Sequence, residues 1–276
     1  MTQITAQLHT QLRRRGRLTR RHPAPPPPTL VAVAHGSRDP EALRTVTALL
    51  DRVRALRPGL PVRLGHIELN QPLLTDTLAE LRGEVVLVPL LLGRGYHIKQ
   101  DIPGAVAAAP HLSARIAAPL GPHPLLAEAL HTRLAEAGYP GVCPVPGGRP
   151  APSAAGVVLA AAGSNDPDAG IDTARAAALL SARLGGVPVL PGHASGAGPG
   201  VSDALRTLAA LGREPVAVAS YFTAPGRFAT QCAAAAPGAA AAPLGAHPAV
   251  ARLVLHRYEQ ALANAPSSHM AVTVGV

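Results

Sequence analysis

"TLVAVAHGSRDP" at residues 29–40 returns as "GVVLAAAGSNDP" at residues 156–167. Each copy runs from a short apolar segment through a Gly-Ser turn to Asp-Pro, which predicts a buried strand, a tight turn and the start of a helix. Two further pairs follow in the same order: "VVLVPLLLGRGYH" (85–97) with "VAVASYFTAPGRF" (216–228), and "APLGPHPLL" (118–126) with "APLGAHPAV" (242–250). Three paired blocks at nearly constant spacing indicate an internal duplication into two α/β halves.

The first half alternates strand and helix patterns four times. Short apolar runs predict strands over 29–34, 61–69, 84–92 and 113–118. Apolar residues at helical spacing, or short segments between these runs, predict helices over 40–56, 72–83, 101–109 and 123–138. Strand–helix units in series imply a parallel sheet with helices on both faces. We therefore expect two similar Rossmann-like α/β lobes, each with a four-stranded parallel sheet.

Composition sets the expected boundaries of the two lobes. Residues 1–28 contain six arginines, no acidic residue and a run of four prolines, which is typical of a disordered arm. Residues 140–155 contain five prolines without periodicity and predict a linker. The expected lobes are therefore residues 29–139 and 156–265, and residues 266–276 form a tail.

Charge and cysteine content exclude several classes of protein. The formal net charge is +9, but the arm accounts for +6 of it, and aromatic residues are only 2% of the chain. A basic arm without aromatic stacking positions does not predict a nucleic-acid partner. Cys143 and Cys232 are far apart and form no CxxC motif, so we expect no iron–sulfur cluster and a reducing, cytoplasmic location. Long uncharged apolar runs are absent from the sequence, so no membrane span is expected.

Three residues at predicted strand ends are candidates for chemistry. His35 follows the first strand, Glu68 closes the second and His97 lies just beyond the third. Ligands of open α/β sheets bind beyond the carboxyl ends of the strands. Two imidazoles and a carboxylate there suit a borderline divalent metal such as Fe²⁺ or Co²⁺, and a neutral imidazole also serves as a base. Each residue taken alone is equally compatible with a surface or capping role.

The duplication provides an internal control for these candidates. His35 becomes Ala162 and His97 aligns with Phe228, while Glu68 falls opposite a segment without any acid, "LPGHASGAG". The glycine, serine, aspartate and proline of the turn persist in both halves. Residues needed only for folding are expected to persist, so the loss of these three indicates function in the first half.

Other polar residues receive structural interpretations. His123 and His247 persist in both copies and are predicted to be structural, whereas the roles of His66 and His193 stay open. Asp39 is predicted to cap the first helix, and Ser37 to belong to the turn.

The segments "LVAVAHGSRDPEA", "HIELNQPLL" and "VVLVPLLLGRGYHIKQDIP" resemble those of the sirohydrochlorin chelatases, the class II chelatases of sirohaem and cobalamin synthesis. The resemblance covers nearly all of residues 29–265. It implies a lyase that inserts a divalent metal into sirohydrochlorin, a polycarboxylate tetrapyrrole, without a nucleotide. It also implies that His35 accepts pyrrole protons and binds the metal, that His97 is the second imidazole, and that Glu68 assists with metal or protons.

The substrate contacts follow from the same resemblance and from charge. The loop 92–97 would line the macrocycle, and Arg38, Arg94 and Lys99 are cations able to anchor carboxylates. The full predicted set is Ser37, Arg38, Leu92, Gly93, Arg94, Gly95 and Tyr96.

Smaller members of this family are single halves that pair, so this chain resembles the fused form. We expect a monomer with pseudo-two-fold symmetry and one functional cleft, whose opposite wall includes Tyr221, Phe222 and Arg227. Iron is slightly favoured over cobalt because the sequence carries no His-rich metal store. The alternative function is a non-catalytic tetrapyrrole or metal carrier that uses the same cleft.

Overall fold

The computed structural model of the protein describes residues 26–142 and 154–264. The predicted arm and linker lie mostly outside these ranges, and the predicted tail lies wholly outside them. The first lobe contains, in chain order, β1 (Thr29–Ala34), α1 (Pro40–Leu56), β2 (Val62–His66), α2 (Leu74–Glu80), β3 (Gly83–Pro89), α3 (Ile102–Ala107), β4 (Leu112–Ile116) and α4 (Pro124–Glu136). A π-helical turn over His97–Asp101 leads directly into α3.

The second lobe repeats this order with one strand fewer. Its elements are β5 (Gly156–Ala161), α5 (Pro167–Arg183), β6 (Val189–His193), α6 (Val201–Ala210), β7 (Val216–Ser220), α7 (Arg227–Ala234) and α8 (Pro248–Ala263). Both sheets are parallel, with strand orders β2-β1-β3-β4 and β6-β5-β7. The α/β fold class and the duplication are as predicted.

The prediction of four strands in the second sheet is wrong. At the place of a fourth strand, Ala240 makes only an isolated bridge with Val218. The segment there, "PGAAAAP" at residues 237–243, consists of residue types that are depleted in strands. The bulkier "LSARI" of β4, in contrast, pairs with β3 over five positions.

Helix α1 begins and packs largely as its sequence pattern indicates. The carboxylate of Asp39 accepts a hydrogen bond of 2.9 Å from the backbone N–H of Glu41, which confirms the predicted cap. Most of the predicted apolar stripe is buried, but Leu43 and Leu56 are exposed by 38% and 53%. Leu43 instead lines the cleft between the lobes.

One apolar core runs through both lobes. The central strands β1 and β5 are buried on both faces, as parallel strands covered by helices must be. The hydroxyl of Tyr139 donates to the carbonyl of Gly156 at 2.8 Å, and Tyr258 in α8 donates to the carbonyl of Pro28 at 2.7 Å. These bonds join the lobes, so the edges of the two sheets hold fixed positions around a shared cleft. No helix within residues 26–142 and 154–264 is long and apolar enough to cross a membrane.

Candidate active site

The three candidate residues follow three adjacent strands. Strand β1 lies between β2 and β3 in the sheet, and His35, Glu68 and His97 come after β1, β2 and β3 respectively. Because the carboxyl ends of parallel strands meet at one edge of the sheet, the fold brings the three side chains to the same edge. The sequence prediction of their neighbourhood is therefore confirmed by the geometry.

His35 lies beside a carboxylate. Its side chain is 44% exposed, and its Nδ1 is 3.6 Å from Oε1 of Glu68 and 3.2 Å from the carbonyl oxygen of Gly36. A separation of 3.6 Å is too long for a hydrogen bond but close enough for an ion pair once the imidazole is protonated. The arrangement places a carboxylate directly beside a candidate base.

His97 is held by a carboxylate one turn along the chain. Its Nδ1 is 2.5 Å from Oδ2 of Asp101. With Asp101 ionised, the proton lies on Nδ1 and the lone pair of Nε2 is left to bind a metal or accept a proton. The rings of His97 and His35 meet edge to face, with centroids 4.6 Å apart. Asp101 was missed from the sequence, although its spacing of four residues from His97 is a signal for such a contact.

A glycine fixes the turn that carries His35. Gly36 has a φ of +106°, and a Cβ at this position would lie 1.8 Å from the carbonyl oxygen of Glu68. The backbone N–H of Glu68 donates to the carbonyl of His35 at 3.0 Å, and the side-chain oxygen of Asn70 accepts from the backbone of Ser37 at 2.6 Å. The β1 turn is thus fixed against the loop after β2, which sets the spacing between His35 and Glu68.

A cleft of about 930 Å³ lies between the two lobes. Its first-lobe wall includes His35 and Glu68, together with Leu90 and Leu92 after β3. His97 does not line the cleft itself; its ring packs against the ring of His35, which does. A cleft of this size lies near the upper end of the range for small-molecule pockets and suits a large ligand.

The opposite wall comes from the second lobe and lacks the candidate ligands. Ala162 lies where the first lobe has His35, and Phe228, which is 37% exposed, lies where the first lobe has His97. Phe222 and Arg227 also line this wall, as does the buried Tyr221. The first wall therefore carries His35 and Glu68, whereas the second, apart from His193 and Arg227, consists mainly of small and apolar residues.

The predicted substrate contacts divide into two groups. Ser37, Arg38, Leu92 and Gly93 line the cleft, whereas Arg94, Gly95 and Tyr96 are not part of its lining. The hydroxyl of Ser37 accepts from the backbone N–H of Asp39 at 3.1 Å, which confirms that it belongs to the turn. Arg38 is exposed on the rim. Contact of these residues with substrate stays a prediction.

Arg94 and Lys99 are engaged with the second lobe. The guanidinium of Arg94 donates to Asp172 at 2.8 and 3.0 Å, and the ammonium of Lys99 lies within 2.9 Å of both Asp166 and Asp168. From sequence, these cations were expected to anchor carboxylates of a substrate. In the structure, their partners are carboxylates of α5 and of the turn before it.

His66 and His193, whose roles the sequence left open, make the same contact in each lobe. The Nδ1 of His66 is 3.2 Å from the carbonyl oxygen of Pro72, and that of His193 is 3.3 Å from the carbonyl oxygen of Pro199. Burial lowers the pKa of His66, with the Pro72 carbonyl acting in the opposite direction. A contact repeated in both lobes indicates that each ring ties a strand end to the following loop.

His123 and His247 cap helices. The Nδ1 of His123 accepts from the backbone N–H of Leu125 at 3.2 Å, and the Nδ1 of His247 accepts from that of Ala249 at 3.1 Å. Both are residues at the N-terminus of a helix, α4 and α8 respectively. Their predicted structural role is confirmed.

In the described part of the chain, no three His, Cys, Asp or Glu side chains are grouped closely enough to hold a metal ion. His35, His97 and Glu68 share an edge of the sheet but form an open set rather than a closed cage. The one cysteine in this part of the chain, Cys232, is buried in the second lobe, and burial raises the pKa of its thiol. Imidazole and carboxylate are therefore the donors at the site.

Comparison with known proteins gives one family for both halves. The CbiX family model matches residues 29–137 and again residues 156–261. The chain is 30% identical over 82 residues to the sirohydrochlorin cobaltochelatase of Methanosarcina acetivorans, a match that covers 28% of this chain and 63% of that protein. It is 28% identical over 188 residues to the sirohydrochlorin ferrochelatase of Bacillus subtilis, covering 65% of this chain and 67% of that protein.

A solved structure has the same fold. SirB from Bacillus subtilis with Fe³⁺ superposes with a TM-score of 0.67 at 23% sequence identity, covering 86% of this chain and 96% of that one. At this identity the likeness establishes the fold of both lobes together.

Proposed function

We propose that this chain, which belongs to the CbiX family, is a sirohydrochlorin chelatase. Such an enzyme is a lyase that inserts a divalent metal, Fe²⁺ or Co²⁺, into sirohydrochlorin. The observation that carries this function is that His35 and Glu68 lie together on one wall of a large cleft, with the ring of His97 packed against His35. The chain contains both walls of the cleft, so the proposed working unit is a monomer.

The chemistry of metal insertion matches these groups. The metal replaces two pyrrole N–H protons, so the reaction needs a base for the protons and weak ligands that release the metal. His35 takes the protons one after the other and passes them to solvent, which its exposed ring contacts. Glu68, 3.6 Å from Nδ1 of His35, is placed to form an ion pair with the imidazolium between the two transfers.

His97 receives the metal before insertion. Asp101 holds its Nδ1 proton, so Nε2 is directed away from Asp101 with a free lone pair. Imidazole binds Fe²⁺ and Co²⁺, and an open set of ligands allows the metal to leave. The donors suit both metals, so the assay must compare them.

The tetrapyrrole lies between the two walls. Its carboxylates reach Arg38 and Arg227, two exposed cations on opposite sides of the cleft. Its flat apolar ring packs on Phe222 and Phe228 of the second lobe. The reactive nitrogens then face His35.

Anaerobic metal insertion into sirohydrochlorin, followed by absorbance with Fe²⁺ and Co²⁺ in parallel, tests this function. The wild-type chain is expected to exceed the spontaneous rate with at least one metal, and His35→Ala is expected to return to the spontaneous rate. Tight binding of sirohydrochlorin without turnover would contradict the chelatase function and would indicate a tetrapyrrole carrier.

A further inference from the structure

A buried carboxylate of the second lobe is bonded to the loop that leads to His97. The side chain of Asp172, in α5, is only 3% exposed. It accepts three hydrogen bonds from a single residue, Arg94: from the backbone N–H at 2.8 Å, from Nε at 3.0 Å and from Nη2 at 2.8 Å. This two-pronged geometry fixes both the side chain and the backbone of Arg94.

A second set of contacts holds the other side of the same loop. Lys99 is paired with Asp166 and Asp168 at the start of α5, and Nη1 of Arg94 is 3.6 Å from Asp168. We call the five residues Arg94, Lys99, Asp166, Asp168 and Asp172 the clasp. His97 lies between the two cations of the clasp, three residues after one and two before the other.

The clasp has no counterpart on the other side of the molecule. The same spacing that relates His35 to Ala162 and His97 to Phe228 relates Asp172, Arg94 and Lys99 to Thr45, Pro225 and Thr230. None of these three is charged. The acidic Asp39 and Glu41 do correspond to Asp166 and Asp168, but without the two cations of the clasp no equivalent ion pairs form there. Contacts needed in both lobes, such as the helix caps of His123 and His247, persist in both. The clasp occurs only beside the lobe that carries the candidate ligands.

Charge pairing explains why the buried carboxylate is tolerated. Burial acts to raise the pKa of Asp172, but the hydrogen bonds and charge of Arg94 outweigh it and hold the pKa below its ordinary value. The same bonds raise the pKa of Arg94. Loss of Arg94 leaves the buried carboxylate of Asp172 without the side chain that pairs with it, so the carboxylate depends on Arg94.

We propose that Asp172 is a positioning residue for metal insertion: through Arg94 it holds the loop of His97 in place against His35. The inference rests on the proposed function and adds a task for the second lobe, which contributes to the reaction without touching the metal. It also reassigns Arg94 from anchoring the substrate to anchoring the loop. The two roles differ in kinetics, because loss of a substrate anchor raises KM whereas displacement of His97 lowers kcat.

The test compares Asp172→Asn with Asp51→Asn in the full chain. Asp51 forms an exposed ion pair with Arg54 of the same helix, so its substitution removes a carboxylate of the same kind outside the clasp. For Asp172→Asn we expect kcat to fall by about 10- to 100-fold with KM changed less than about twofold, as displaced supporting groups produce. Amide hydrogen exchange over residues 92–101 is expected to speed up. Asp51→Asn is expected to change none of these quantities.

A second variant keeps the test decisive if Asp172→Asn folds poorly. Arg94→Lys keeps the positive charge but loses the fork that binds both carboxylate oxygens. We expect it to lower kcat at unchanged KM, and Arg94→Lys with Asp172→Asn to be no worse than the more damaging single substitution. A raised KM at unchanged kcat would overturn the proposal and would indicate that Arg94 binds the substrate instead.

Amide hydrogen exchange distinguishes a failure of this proposal from a failure of the proposed function on which it rests. If the wild-type chain inserts no metal, the proposed function fails, and exchange over residues 92–101 still reports whether Asp172 holds the loop. Unchanged hydrogen exchange in Asp172→Asn would show that Asp172 does not hold the loop, whether or not the chain is a chelatase.

Discussion

The rings of His35 and His97 stand edge to face at 89°, with their centroids 4.6 Å apart, although 61 residues of chain separate them. They come together because β1 and β3 are neighbours in the sheet and both end at the cleft. The equivalent positions in the second lobe hold Ala162 and Phe228. The pair thus exists once in a duplicated fold.

Removal of either ring is expected to abolish most of the activity but to change the stability only slightly. We expect His35→Ala and His97→Ala each to lower kcat by about 100-fold or more, since a positioned base or ligand contributes on that scale. Thermal unfolding should change little, because neither ring is buried. His247→Ala, which removes a helix cap, is the control: it should lower the unfolding temperature at nearly unchanged kcat. Equal losses of kcat in all three variants would contradict a single site.

Asp101→Asn tests the bond that fixes His97. The amide keeps the shape but lacks the negative charge that holds the proton on Nδ1. We expect kcat to fall by about 10-fold or more at nearly constant KM, the scale found when partners of metal-binding histidines are removed. ¹⁵N chemical shifts of the His97 ring, measured at one pH, should report a loss of the Nδ1–H form. Wild-type kcat together with wild-type shifts would show that Asp101 does not position His97.

Two glycines at equivalent turns give a matched pair of variants. A Cβ on Gly36 would lie 1.8 Å from the carbonyl oxygen of Glu68, and a Cβ on Gly163 would lie 1.8 Å from that of Ser195. Both alanine variants should therefore be destabilised by similar amounts in denaturant unfolding. Only Gly36→Ala displaces His35 from Glu68, so the kcat of its folded fraction should fall well below that of Gly163→Ala. If the two folded fractions had equal kcat, the spacing of His35 and Glu68 would be irrelevant to the rate.

Stability is expected to fall in mild acid because of the histidine caps. Burial, together with the charges of Arg257 and His256, lowers the pKa of His123 to about 4, against an ordinary value of 6.5. Below pH 6.5 the unfolded chain takes up a proton that the native chain does not, so this contribution to stability is complete above pH 6.5 and decreases as the pH falls towards 4. Protonation also removes the helix cap, because Nδ1 cannot accept the N–H of Leu125 once it carries a proton.

Thermal unfolding between pH 4 and 7 checks this dependence. His123→Asn keeps an acceptor suited to a helix N-cap and does not titrate, so its unfolding temperature should vary less with pH than that of the wild-type chain. An identical pH dependence in both proteins would place the acid sensitivity elsewhere.

The sequence predicted the fold well because duplication exposes what is required in both halves. The Gly-Ser turn and the Asp-Pro helix start recur, and both were found where predicted. The prediction of a fourth strand in the second lobe was wrong because residues 237–243 are small residues and prolines with little tendency to pair. An α/β pattern sets the order of strands, but pairing at an edge depends on side chains that the repeat does not preserve.

The site was predicted in part for a similar reason. His35, Glu68 and His97 stand out because they vanish from an otherwise retained pattern. Contacts between the lobes leave no such mark, because Arg94 and Asp172 are 78 residues apart and meet only when the lobes pack. A cation in a loop has the same sequence pattern whether its partner is a ligand or a carboxylate of the protein.

The unlike walls of the cleft also give it a direction. Between two identical walls, a flat ring could enter in either of two ways and meet the same surroundings. Here Phe228 and Ala162 belong to one wall of the cleft and His35 to the other. The pyrrole nitrogens of such a ring lie in its plane and can be reached from either face, so a base on one wall alone removes the protons from the side of that wall. With the candidate ligands on one wall only, the proposed site delivers the metal from a single side of the cleft.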